Sequence, residues 1–173
     1  LAAEGADWVQ IDEPILAAEA GSAWLDAFAP VYQELSGTGV RILVGTYFAS
    51  IAEHLDLLKS LPVQGLHIDC VRAPEQLAVF AEQFPTNKVL SVGLIDGRNV
   101  SKVIATLEPV KAKLGENLWI APSCSLLHSP QDLAVEEKLD GEIKSWMAFA
   151  AQKLVELGVV KRALEHGKDS VAA

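Results

Sequence analysis

The residues able to carry chemistry in this chain stand at the ends of short apolar runs. Asp12-Glu13-Pro14 closes one run, Thr46-Tyr47 a second, Asp69-Cys70 a third, Asp96-Gly97-Arg98-Asn99 a fourth and Ser123-Cys124 a fifth, with His128 shortly after. Carboxylates can serve as acids or bases, a carboxylate with a thiolate can hold a metal, and a guanidinium beside a flexible glycine can orient an anion. Each has a plainer counterpart. Asp12 and Glu13 are adjacent, so on a strand they point to opposite sides and cannot form an acid–base dyad. The plainer reading is a carboxylate bonded to loop amides, with Pro14 setting the turn. Asp69 and Cys124 could meet as ligands, but zinc takes about four protein ligands, or about three with an open position, and Val44-Gly45-Thr46-Tyr47-Phe48 adds neither His nor Cys. Cys70 and Cys124 then read as ordinary buried thiols.

His128 lies near enough to Cys124 to suggest a thiol–imidazole pair, yet a loop histidine beside Ser129-Pro130 also suits a turn or a helix entry. Arg98 either orients an anionic substrate or compensates Asp12 and Asp69. His67, inside an apolar run, reads as a core or interface histidine, whereas His54 and His166 fall on helix faces and are expected in solvent. The tryptophans are assigned to packing, Trp24 and Trp146 at helical positions and Trp8 and Trp119 at strand starts.

Positioning these groups requires a repeated unit. Apolar runs over residues 7–14, 40–48, 65–71, 88–96 and 117–124 lack polar alternation, as strands of a parallel sheet covered on both faces do. Helical periodicity fills residues 23–35, 50–61, 74–84, 101–114 and 133–158, the last extending towards Leu164. Ser22, Ser50, Ala73-Pro74 and Ser101 are the expected helix starts, and Gly37, Pro62, Pro85 and Gly115 the stops. Residues 1–5 read as the last turn of a helix closed by Gly5. Strand-then-helix units in series predict an α/β fold. Both an open doubly wound sheet and a (β/α)8 barrel place ligands where the polar residues cluster, at the carboxyl ends of the strands. No GxGxxG follows the first strand and no GxxxxGK[ST] occurs, so nothing recommends a nucleotide site.

The 173 residues, 50% hydrophobic and 21% charged, suffice for one sizeable core. A net charge of −9 without a basic stripe argues against nucleic acid and anionic membrane as partners. No apolar stretch reaches transmembrane length, no secretory signal is present, and two cysteines without a framework suit a reduced, cytoplasmic protein. Residues 168–173 read as a frayed tail.

Four ordered strings, WVQIDEP (8–14), PVQGLHIDC (62–70), LSVGLIDGRNV (90–100) and APSCSLLHSP (121–130), resemble the amino-terminal domain of cobalamin-independent methionine synthases. The resemblance covers almost the whole chain and fits the carboxy-terminal part of that barrel. It implies a partial (β/α)8 barrel of about five units over residues 1–167, with 168–173 leading to an interdomain linker. It further implies a non-catalytic role beside a carboxy-terminal barrel of the same protein. That second barrel holds the zinc that activates homocysteine for methyl transfer from methyltetrahydrofolate polyglutamate. Laid on this chain, the zinc ligand positions fall at Gly45, Tyr47, Asp69 and Cys124, and the acid-histidine segment at Asp96-Gly97-Arg98-Asn99. No metal is therefore expected here, and Asp12, Asp69, Arg98, Cys124 and His128 stand as vestigial mouth residues. The alternative is an autonomous barrel enzyme using Asp12, Asp69, Cys124 and His128. The chain departs from the family pattern over residues 16–22 and after Val100, where a Trp-Arg loop is missing. An incomplete barrel also leaves open sheet edges, so the chain alone is expected to self-associate.

Overall fold

A computed structural model describes residues 1–95 and 100–171, with backbone only at 100–102. Its strands are β1 (Trp8–Asp12), β2 (Arg41–Gly45), β3 (Gly65–Asp69), β4 (Val89–Ile95) and β5 (Leu118–Pro122). All neighbouring strands pair in parallel, in the order β1-β2-β3-β4-β5. Every crossover therefore steps one strand in the same direction. A doubly wound sheet reverses its order at a switch point, whereas a barrel never does. The helices are α1 (Ser22–Leu35), α2 (Leu55–Ser60), α3 (Gln76–Gln83), α4 (Val100–Leu114), α5 (Gly141–Ser145) and α6 (Ala150–His166).

Alternate residues divide the sheet into two chemistries. Ile42, Val44, Leu66, Ile68, Leu90 and Val92 point to the helices and join Phe28, Tyr32, Leu58, Phe80 and Leu107 in one buried cluster. The register puts Gln10 and Asp12 on the other face, in line with Leu43 and Gly45, then Gly65 and His67, then Val89 and Ser91. That second face is concave. The indoles of Trp8 on β1 and Trp119 on β5 meet edge-on across it, their centroids 4.8 Å apart. Side chains of the first and fifth strands touching across the interior mean that the sheet turns through about half a circle in four steps, the curvature of an eight-stranded barrel. The sheet ends at β1 and β5 with both edges open.

Long side chains tie down the amino-terminal rim. Lys88 Nζ donates to the Lys59 and Leu61 carbonyls (3.0 and 2.6 Å) at the end of α2, and Asn117 Nδ2 donates to the Thr86 carbonyl (2.7 Å). Gly5, at φ 87, closes the first short 3-10 turn as expected.

Several sequence expectations need correction. The long helix over residues 133–158 is broken into a 3-10 turn (Leu133–Val135), α5 and α6. The causes are side chains that satisfy backbone donors at new helix starts. Asp132 accepts from Ala134 N (2.9 Å), Asp140 from Glu142 N (2.8 Å), and Gln152 Oε1 from Leu133 N and Phe149 N (3.1 and 3.2 Å). Residues 50–61 likewise divide into a 3-10 turn (Ala52–His54) and α2. α1 starts at Ser22 as expected, with Gly21 at the cap position, and its end comes at a 3-10 turn (Ser36–Thr38) with Gly39, not Gly37, left-handed. Of the tail expected to fray, the described part is ordered: Lys168–Val171 form a 3-10 turn, Lys168 pairs with Glu108 at 3.1 Å, and Val171 packs on the core. Trp24 and Trp146 are exposed (62% and 73%), whereas Trp8 and the partly exposed Trp119 pack against each other. His54 is half-buried, not solvated; its Nε2 is enclosed 3.6 Å from Glu53.

Candidate functional site at the strand mouth

The concave face carries a polar network at the carboxyl ends of β1 to β4. Gln10 and Asp12 lie two apart on β1 and so share a face. Gln10 Nε2 donates to Asp12 Oδ1 (2.7 Å) and to the Tyr47 phenol oxygen (2.6 Å), and Tyr47 in turn donates to Asp12 Oδ1 (3.0 Å). Burial, reinforced by the Asp12 charge, pushes the Tyr47 phenol far above its ordinary range, so it stays a donor. Glu13 points the other way and accepts from buried Tyr32 at 2.8 Å, which bears out the expectation that Asp12 and Glu13 form no dyad.

His67 and Ser91 extend the network inward. The His67 ring is buried 5.2 Å from the Tyr47 ring, with Nδ1 3.0 Å from Ser91 Oγ and Nε2 3.4 Å from the Ser123 carbonyl. A carbonyl only accepts, so the proton belongs on Nε2 and Ser91 donates to Nδ1. Burial lowers the His67 pKa, opposed by the Ser123 contact and the charges of Asp69 and Asp12. Gly93 is what permits this proximity. A Cβ there would stand 2.9 Å from both Pro122 O and Ser123 Cα and 3.0 Å from His67 Cε1.

Asp69 is buried and fully engaged by backbone. Its Oδ1 accepts from Val71 N and Arg72 N (3.0 and 3.1 Å), and its Oδ2 accepts from Phe48 N (3.0 Å). Phe48 is the one described non-glycine residue with positive φ, at 77°, a conformation that costs an L-residue about 1–2 kcal/mol. Gln76 steadies the same junction, donating to the Asp69 carbonyl (2.8 Å) and accepting from Ile51 N (3.1 Å).

The remaining predicted residues divide. Cys124 is half-buried on the loop after β5. Cys70 is buried, its thiol pushed up to about 12 by burial and then by Asp69 and Glu75, so it is an inert core thiol. His128 ends an exposed 3-10 turn (Leu126–His128) capped by Ser125, and among the described residues no interaction joins it to Cys124. Arg98 and Asp96 lie outside the described residues. Gln10 and Ser91 went unrecognised as site residues from sequence, and Tyr47 stood out only as a strand-end residue and an implied ligand position, without its role as a partner of Asp12. The available signal was a spacing of two from Asp12, Gly45 and Gly93 inside otherwise apolar strands.

The zinc ligand positions implied by the family resemblance do not suit a metal here. A Cβ at Gly45 would stand 2.5 Å from Asp12 Oδ1, so an imidazole there displaces the network. The Tyr47 phenol and both Asp69 oxygens already have partners, which leaves Cys124 alone. Among the described residues no group of three or more His, Cys, Asp or Glu converges as a metal site.

Sequential parallel strands, an outer helical layer and polar groups at the carboxyl rim define a segment of a β/α barrel. The model of the family described as "Cobalamin-independent synthase, N-terminal domain" matches residues 1–114, and the chain belongs to this family. Relatives named 5-methyltetrahydropteroyltriglutamate--homocysteine methyltransferase agree. The Haemophilus influenzae protein is 55% identical over all of this chain and 24% of its own length. That of Neisseria meningitidis serogroup B is 56% identical over 97% of this chain and 23% of its own length. The chain thus spans about a quarter of these relatives. The Haemophilus match extends over 181 positions against 173 residues here, so the relative carries residues that this chain lacks.

Proposed function

We propose that this chain is the later part of the non-catalytic barrel of a zinc-dependent enzyme. That enzyme moves a methyl group from 5-methyltetrahydrofolate polyglutamate to homocysteine, forming methionine. The role of the chain is to support the enzyme's carboxy-terminal catalytic barrel and help to enclose its site. The observation that carries this reading is the mouth itself: glycine and tyrosine occupy two ligand positions, and Asp12, Tyr47 and Asp69 are bonded to one another or to backbone. Such a rim supplies shape and fixed dipoles to a neighbour, and its described carboxylates are already engaged by protein donors.

Zinc supplied by the partner barrel would lower the homocysteine thiol pKa and generate the thiolate nucleophile. The residues here hold their own loops in place: Asp69 joins the loops after β2 and β3, and His67 joins β3 to β4 and to the loop after β5. The same domain reading assigns residues 1–167 to the barrel and the residues beyond to a linker. A reduced cytoplasmic setting accords with buried Cys70, and no described helix is long and apolar enough to cross a membrane.

The test exchanges the matched segment of the Haemophilus influenzae relative for this chain and measures homocysteine-dependent methyl transfer. The hybrid should turn over and the chain alone should not. Turnover by the chain alone, abolished by Cys124→Ala or His128→Ala, would instead establish an autonomous enzyme.

A further inference from the structure

Phe48 stands in a conformation that is unfavourable for its residue type, and among the described residues its ring has one aromatic neighbour, Tyr47, at 6.0 Å. Its φ of 77° belongs to the left-handed region, and the residue is 62% exposed while Tyr47 beside it is buried. Exposure returns little of the apolar burial that a phenylalanine ordinarily contributes. The conformation is nevertheless held firmly. Asp69, itself buried, accepts the Phe48 N–H at 3.0 Å and is fixed by Val71 N and Arg72 N. Strain kept in place by a buried clamp at a mouth points to use of the side chain that it aims.

We propose that Phe48, held by Asp69, is a docking anchor: its ring inserts into an apolar recess of the facing carboxy-terminal barrel of the same protein. This rests on the reading of the chain as one barrel of a two-barrel enzyme. Relatives extend over about four times this length, so most of their polypeptide lies outside the segment described here. A projecting ring suits a pocket on a protein partner, since small ligands are engulfed by concave sites. Asp69 is thereby a positioning residue for an interface and no ligand to a metal.

Hydroxyl-radical footprinting of the Haemophilus hybrid, without substrates, tests this directly. Phe48 should oxidise at least about fivefold more slowly in the folded hybrid than in denaturant, and Asp69→Asn should restore its reactivity while methyl transfer persists at a reduced rate. An equally reactive Phe48 in the folded hybrid overturns the anchor even if the hybrid is fully active. Protection that appears only on adding homocysteine or methyltetrahydrofolate also overturns it, in favour of a substrate contact. The strain has its own measurement, on the chain alone. Phe48→Gly should exceed Phe48→Ala in folding equilibrium by about five- to thirtyfold, because both remove the ring and only glycine accepts the backbone. Equal stabilities would remove the clamp from the account.

Discussion

Replacing Gly93 by alanine examines the packing on which the mouth depends. In an unobstructed strand the change should stabilise by about 0.4–1 kcal/mol, through the reduced entropy of the unfolded chain. Here the added methyl meets Pro122 O and Ser123 Cα at 2.9 Å and His67 Cε1 at 3.0 Å. Two of these atoms are backbone of β5 and its loop and cannot rotate aside. Overpacking of this kind costs about 1–3 kcal/mol, and two backbone atoms that cannot yield put this site towards the upper end, so the net loss after the entropic gain reaches about 2.6 kcal/mol. At about 2–4 °C per kcal/mol for a chain of this size, the midpoint should fall, by up to roughly 10 °C. Gly158→Ala supplies the control: it lies in α6, nothing stands within 4 Å, and alanine should add about 0.5–1 kcal/mol. Thermal unfolding of both variants at one protein concentration decides the matter. Shifts of the same sign would refute the claim that β4 and β5 close upon His67.

Three further outcomes follow from the same geometry. His67 has a folded pKa below its ordinary 6.5, so under acid conditions the unfolded chain binds a proton that the native one refuses. Its contribution is complete above that value and lost as pH falls through it; with Asp69, Asp12 and Tyr47 as neighbours, His67→Gln should flatten the dependence in urea unfolding between about pH 5 and 8. A thiol reagent at mildly alkaline pH should label half-buried Cys124 well before Cys70, whose thiol lies near about 12; mass spectrometry showing equal rates would contradict the burial argument. The open edges of β1 and β5 should make the chain alone associate, and light scattering showing a stable monomer in dilute buffer would count against this.

The order of the units was readable in the sequence because uninterrupted Val, Ile and Leu runs leave few alternatives to buried parallel strands, as at Ile42–Val44 and Leu66–Ile68. Residues 133–158 misled because apolar spacing there continues across breaks made by Asp140-Gly141 and by Gln152, and periodicity does not register side chains that capture backbone donors. At the site, Asp12 and Asp69 stood out by type and position. Their partners did not: whether a carboxylate faces a ligand or a neighbour's N–H is set by loops such as Phe48 and Val71-Arg72, whose conformations arise from tertiary contacts. Gly45 was legible as a missing ligand, and only the structure shows that Asp12 leaves no room for one.

If the proposed function holds, this mouth supports chemistry elsewhere and binds no catalytic metal of its own. Zinc analysis of the purified chain after equilibration with equimolar zinc and gel filtration tests it most directly. No metal should be retained, and the same zero should follow Cys124→Ala or Asp69→Asn. Stoichiometric zinc in the unaltered chain, lost in both variants, would contradict it.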